Sequence, residues 1–182
     1  MAHPHVHPPD VACAIAHGDV PVPADGRSLV AVFASPMARY LLHFARETGY
    51  RTALVEPDPV RYDDAVRAFA DVHAGPAGIG PEADVVVTDH DRAELGTVLR
   101  DVLAGPARWV GVMGSPRHTA PHLAALAALG VAPEQVARVH RPIGLNIGSR
   151  SPAEIAIATL AGLIADRNGR PGGFAFDAAV HR

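Results

Sequence analysis

The sequence predicts an α/β domain: a doubly wound parallel sheet in three layers, with helices on both faces. Three observations predict it. Short, continuous apolar runs of the buried-strand kind alternate with segments whose apolar residues recur at helical spacing. Three Ser-Pro pairs, Ser35-Pro36, Ser115-Pro116 and Ser151-Pro152, follow strand-like or Gly-rich stretches. Each spells a helix start, because the Ser side chain accepts from an orphan backbone N–H and Pro fits the first turn. Glycines at 49, 130 and 169 then close the helical segments. Strands and helices alternating at this spacing make a parallel sheet, with the order 3-2-1-4-5 expected and ligands binding where that order reverses.

The elements follow in order. Residues 29–34 (LVAVFA) form the first strand. Residues 36–48 form a helix with Met37, Tyr40, Leu41 and Phe44 on one stripe. Residues 51–56 (RTALVE) are the second strand, stopped by Pro57 and Pro59. Residues 60–72 read as a helix with Val66, Phe69 and Ala70 inward, and 75–82 (GPAGIGPE) as a loop. The third strand is 84–88 (DVVVT); Asp91 then caps a helix over 92–103, with Glu94 completing a capping box. Residues 108–113 (RWVGVM) give the fourth strand, 116–129 a helix, and 137–140 a short fifth strand. The best-patterned helix is 152–168, with Ile155, Ile157, Leu160, Leu163 and Ile164, opened by a capping box from Ser151 to Glu154. Residues 1–27 read as a tail or small docking segment, 28–169 as the domain, and 170–182 as a C-terminal tail.

Composition bounds the function. A chain of 182 residues suits one domain with a real core. With 48% hydrophobic and 19% charged residues it reads as globular. No apolar run approaches the roughly 18 residues that span a bilayer, and residues 1–10 lack the pattern of a secretory signal. A net charge of −3 makes no electrostatic case for nucleic acid. The one cysteine, Cys13, excludes an internal disulfide, so a cytoplasmic location is expected; Cys13 itself reads as buried filler, not a nucleophile. All 16 residues counted as Lys or Arg are Arg. GC-rich coding accounts for that bias, but the chemistry it removes is real: neither a Schiff-base lysine nor a P-loop lysine exists. Any anion must be held by Arg, backbone N–H groups or helix ends.

Several residues carry candidate chemistry. The first turn, Phe33-Ala-Ser-Pro-Met-Ala38, has no glycine, so a dinucleotide in the usual pose meets Cβ atoms and a Pro ring. Glu56 and Asp58 suit a ribose hydroxyl, or are simple strand-end acids. Asp89 and His90, at the end of the third strand, suit orienting a ligand or moving a proton, or forming a capped turn. Gly114 and Ser115 with Arg117 make an anion cradle by mechanism; an ordinary Gly turn is the alternative. His118 and His122 stand four apart, but Pro121 between them and the absence of a following Glu argue against a metal, and the tract His3, His5, His7 reads as tail. In the last loop Ile143, Leu145 and Ile147 anchor the chain, Gly144, Asn146 and Gly148 leave backbone available, and Arg150 supplies charge before the Ser151 cap. Because helices that follow parallel strands begin at one sheet edge, these starts converge on one crevice.

At these motifs the chain resembles the XdhC/CoxI family, accessory proteins of xanthine dehydrogenase and CO dehydrogenase, in its Rossmann-like domain. The resemblance rests on Val86-Val-Thr-Asp-His-Asp91, on Val110-Gly-Val-Met-Gly-Ser-Pro-Arg117, and above all on His140, Pro142-Ile-Gly-Leu-Asn-Ile-Gly148 and Arg150-Ser-Pro-Ala-Glu-Ile-Ala156. It covers about residues 28–169. It implies a factor that binds the molybdenum cofactor, assists its sulfuration and hands it to an apo molybdenum hydroxylase: a cofactor-binding chaperone more than a turnover enzyme, with a sulfurtransferase or a second copy of the chain as further partners. Two departures stand out: Ala34-Ser35-Pro36 where the family's first turn carries glycines, and only 27 residues where the family often has a Cys-bearing N-terminal domain. The expected anion-holding set is Ser35, Gly114, Ser115, Arg117, Gly144, Asn146, Gly148, Arg150 and Ser151, with Asp89 and His90 orienting the pterin and no resident metal. The competing expectations are an NAD(P)-binding oxidoreductase with a degenerate first glycine loop, and a docking module for the hydroxylase.

Overall fold

The computed structural model describes residues 11–20, 26–115, 119–170 and 172. After a short helix α1 (Val11–Ala16) the chain runs through β1 (Ser28–Val32), α2 (Pro36–Glu47), β2 (Arg51–Val55), β3 (Asp71–His73), β4 (Ala83–Val87), α3 (Leu95–Ala104), β5 (Trp109–Val112), α4 (Pro121–Ala128), α5 (Pro133–Val136), β6 (Val139–His140) and α6 (Pro152–Arg167). The six strands form one parallel sheet in the order β3-β2-β1-β4-β5-β6. It is a Rossmann-like α/β fold.

The layers follow from the strand pattern. In β1, Leu29 and Ala31 join a core cluster shared with α2 and α6, while Val30 and Val32 join the opposite cluster under α3 and α4. Strands apolar on both faces belong between two helical layers. Register puts Ala31 between Leu54 of β2 and Val86 of β4. The direction of α6 is fixed by charge. At its end Arg167 donates to Asp84 at 2.7 Å, and Arg108 bridges Asp84 and Asp166 at 2.6 and 2.7 Å. Asp84 is fully buried at the start of β4, so the end of α6 lies at the amino edge of the sheet and its start at the carboxyl edge, beside the start of α2.

Two of the three predicted Ser-Pro starts are helix starts. Ser35 caps α2, accepting from the Ala38 N–H at 3.0 Å. Ser151 caps α6 with a complete capping box to Glu154. The third is a correction: the helix expected from residue 116 begins at Pro121, with Ala120 at its cap and no side-chain bond there. Pro121 supplies the same preset first-turn geometry five residues later. Pro116, Arg117 and His118 lie outside the described residues, as do the His3, His5, His7 tract and most of the expected C-terminal tail.

Four further expectations are corrected. The helix expected over 60–72 is two 3-10 turns, Pro59–Arg61 and Asp64–Ala68, followed by β3. The inward positions hold, since Val66 and Ala70 are buried, but the backbone is tighter and a three-residue edge strand shows no periodicity. That extra strand takes the third place in the order. The strand read as third therefore lies at the centre beside β1, and the one read as fourth lies one place further out. The helix expected from residue 92 begins at Leu95, and Glu94 makes no cap bond because its carboxylate pairs with Arg92 at 3.0 Å. Cys13, expected inside, is exposed on α1.

Candidate functional site

The crevice lies where the strand order reverses, between the carboxyl ends of β1 and β4. Ser35 therefore meets Thr88, not Ser115: its hydroxyl donates to Thr88 Oγ1 at 3.1 Å while its oxygen accepts from Ala38. Thr88 in turn donates to the Phe33 carbonyl at 2.6 Å. Phe33 takes φ 73°, the left-handed region a bulky residue enters only when its surroundings impose it. Here the imposing contacts are that carbonyl bond, the Phe33 N–H to Val55 O bond at 2.8 Å and the guanidinium of Arg92, 4.6 Å from the ring centroid.

Arg92 holds the end of β2. Its guanidinium makes a bidentate pair with Glu56, both bonds 2.9 Å. The same carboxylate accepts from the Ala34 N–H at 2.8 Å and the Asp58 N–H at 3.0 Å. Glu56 is 2% exposed. Burial pushes its carboxyl up, but the bonds from Arg92, Ala34 and Asp58 outweigh it, and the group lies below the usual carboxylate range. The acid positioned for a ribose hydroxyl and the first-turn amide positioned for a pyrophosphate are thus bonded to each other.

A second cluster forms across the ends of β4, β5 and β6. Parallel pairing sets Gly111 beside His140, which brings Arg141 against the turn after β5. The Arg141 guanidinium sits on Gly114 so closely that a Cβ there would lie 2.5 Å from Nη2, and Nη2 donates to the Ser115 carbonyl at 3.3 Å. His122 of α4 is 3% exposed, and its Nδ1 has no hydrogen-bond partner among the described residues. Burial, then the nearby Arg141 guanidinium and His90 imidazole, hold its imidazole below the usual range. Asp89 accepts from the Asp91 N–H at 3.1 Å, and His90 Nε2 lies 3.7 Å from Asp91 Oδ1. Three basic side chains from three elements therefore share one electrostatic neighbourhood.

The last loop crosses the same edge. Gly144 (φ 91°) is buried against α6, where a Cβ would come within 3.2 Å of the Thr159 nitrogen, and Leu145 N–H bonds Ala158 O. Asn146, Gly148 and Arg150 are exposed. The Arg150 and Ser151 N–H groups both donate to the Glu154 carboxylate, at 2.9 and 3.2 Å. The start of α6 thus carries its own anion. Of the residues singled out from the sequence, Ser35, Asp89, His90, Gly114, Ser115, Gly144, Asn146, Gly148, Arg150 and Ser151 lie on turns at or following the strands' carboxyl ends; Arg117 is not described. Sequence reasoning missed Arg141 and Arg92, and weighed His122 only as a metal ligand. Arg141, adjacent to the motif His140 and Pro142, was the one with a usable signal.

Comparison with known proteins gives three findings. The family described as the XdhC Rossmann domain matches residues 29–163. The Escherichia coli K12 protein YqeB, described as uncharacterized, is 37% identical over 89 residues, covering 49% of this chain and 16% of YqeB. A Bacillus halodurans crystal structure described as a xanthine dehydrogenase superposes with a TM-score of 0.65 at 22% identity, covering 79% of this chain and 43% of that one; at that identity the likeness is one of fold. The chain spans less than half the length of either protein. Among the described residues no helix is long and apolar enough to cross a membrane.

Proposed function

Because the chain belongs to the XdhC Rossmann-domain family, we propose that it is an accessory factor of a xanthine-dehydrogenase-type molybdenum hydroxylase, and that it holds the molybdenum cofactor at the carboxyl edge of its sheet before sulfuration or insertion. The observation that carries this reading is the Arg141 guanidinium seated on Gly114, at the edge where the turns after β1, β4 and β5 and the start of α6 meet. A pterin phosphate needs a cation and close backbone approach, and this pair offers both. Arg141 with the backbone of Gly114 and Ser115 would hold the anionic group. Arg150 and the 144–148 loop would border it, and Asp89 and His90 would orient the ring. The bound cofactor supplies the redox metal chemistry of the target enzyme; this chain's own residues bind, orient and release.

The bonds of Glu56 to Ala34 and Arg92 support this reading over an NAD(P)-dependent oxidoreductase, since they occupy the groups such a dinucleotide uses. The test is calorimetric titration of the purified protein with molybdopterin, with oxidised-pterin fluorescence as the second readout. Arg141→Ala and Arg150→Ala should each weaken binding by about 1.5–3 kcal/mol, the range for a charge-assisted hydrogen bond. Unchanged affinity in either variant removes that residue from the site. A pterin-free protein that still captures the apo hydroxylase would make it a docking module instead.

A further inference from the structure

A second cleft runs beside the crevice without using its cationic cluster. It is about 800 Å³ and lies between α2 and the 3-10 turns that follow β2. That size falls within the roughly 300–1,000 Å³ of small-molecule sites. Its floor is apolar, and its walls carry Arg39 and Tyr40 from α2 and Arg61, Tyr62 and Asp63 from the opposite side, with Ser35 at one end. Arg39 is exposed and makes no ion pair among the described residues; Arg61 pairs with Asp58 at 3.3 Å but remains half exposed. Tyr62 is held in place by Arg67, which donates to its hydroxyl at 3.2 Å and lies 5.5 Å from its ring centroid. Arg61 is shared with Asp58, so Arg39, which has no ion-pair partner among the described residues, is the cation that most favours an anion here. Two phenol rings flanking the same space favour a flat ring, which stacks on aromatic and guanidinium faces alike.

We propose that this cleft binds a planar heteroaromatic ring carrying a phosphate, of mononucleotide size, with Arg39 and Arg61 on the phosphate and Tyr40 or Tyr62 on the ring. The proposal does not rest on the molybdenum reading. Two sources share that chemistry, a nucleotide and a pterin phosphate, and separate titrations with cytidine monophosphate, adenosine monophosphate and 6-hydroxymethylpterin monophosphate distinguish them.

The experiment is calorimetric titration of the full chain. At least one probe should saturate with a Kd below about 1 mM, while adenosine alone and inorganic phosphate alone bind at least about tenfold more weakly. The double variant Arg39→Ala, Arg61→Ala should lose at least about tenfold, as two charge-assisted bonds require, and Tyr62→Ala should lose affinity that Tyr62→Phe keeps. Circular dichroism checks that each variant is folded. Failure of every probe to saturate, or equal binding by the folded double variant, overturns the proposal.

Discussion

Replacing Arg92 by Ala tests the physical core of the β2 turn. Arg92 is 7% exposed, and its partner Glu56 is 2% exposed. The substitution removes both 2.9 Å bonds to Glu56 and the contact over Phe33. It leaves a buried carboxylate with two backbone donors, from Ala34 and Asp58. Removing one partner of a buried pair costs about 3–5 kcal/mol; the two remaining donors place this case near 3. For a domain of this size that lowers Tm by about 6–12 °C. The pH dependence carries a second signature. In the wild type the Glu56 carboxyl lies below its ordinary range, so its contribution is present above the unfolded carboxylate pKa and lost as pH falls through the lower folded value. In the variant, burial acts without Arg92 and raises the carboxyl, so the penalty is relieved as pH falls. The stability gap between the two proteins should therefore narrow on acidification from pH 7. Urea unfolding followed by circular dichroism across pH 5–7 measures both. A loss under about 1 kcal/mol at pH 7, or a gap that widens in acid, refutes the reasoning.

Three further predictions concern other parts of the molecule. Ser151→Ala removes the α6 cap and should cost about 0.5–2 kcal/mol in urea unfolding; no change would mean the capping box contributes nothing measurable. Gly114→Ala puts a Cβ 2.5 Å from Arg141 Nη2. Arg141 must move aside, and at φ 156° any L side chain is strained, so stability should fall by about 1–3 kcal/mol together with molybdopterin affinity; a titration matching wild type would separate Gly114 from the site. His122 has a depressed pKa in the fold, from burial first and then from Arg141 and His90. Its contribution is present above the ordinary histidine pKa, about 6.5, and lost as pH falls through the folded value. His122→Gln should lose less stability than wild type between about pH 6.5 and 5, and a parallel loss would rule His122 out as the group responsible.

The layered fold was legible because strands buried on both faces read as continuous apolar runs, and because Ser35-Pro36 and Ser151-Pro152 mark helix starts chemically. What escaped reading was set by tertiary contacts. Asp71–His73 is too short to show a period, so it was absorbed into the helix expected before it. Glu94 has the right spacing for a capping box with Asp91, yet the buried demand of Arg92 claims its carboxylate. Ser115 has the right local chemistry for a helix start, but Pro121 is where the turn of α4 closes. The same holds at the site. The turns that border it were named from their sequence positions. Arg141 reaches Gly114 only because β6 pairs with β5 in the register that sets His140 beside Gly111. Phe33 occupies a conformation for which its sequence gives no warning.

The account stands on an anion grip at the carboxyl edge, centred on Arg141. Titrating wild type and Arg141→Ala with molybdopterin under identical conditions tests it most directly. Stoichiometric binding by the wild type, weakened at least about tenfold in a variant that melts as the wild type does, is the predicted result. Absence of binding by the folded wild type, or equal affinity in both proteins, would contradict it.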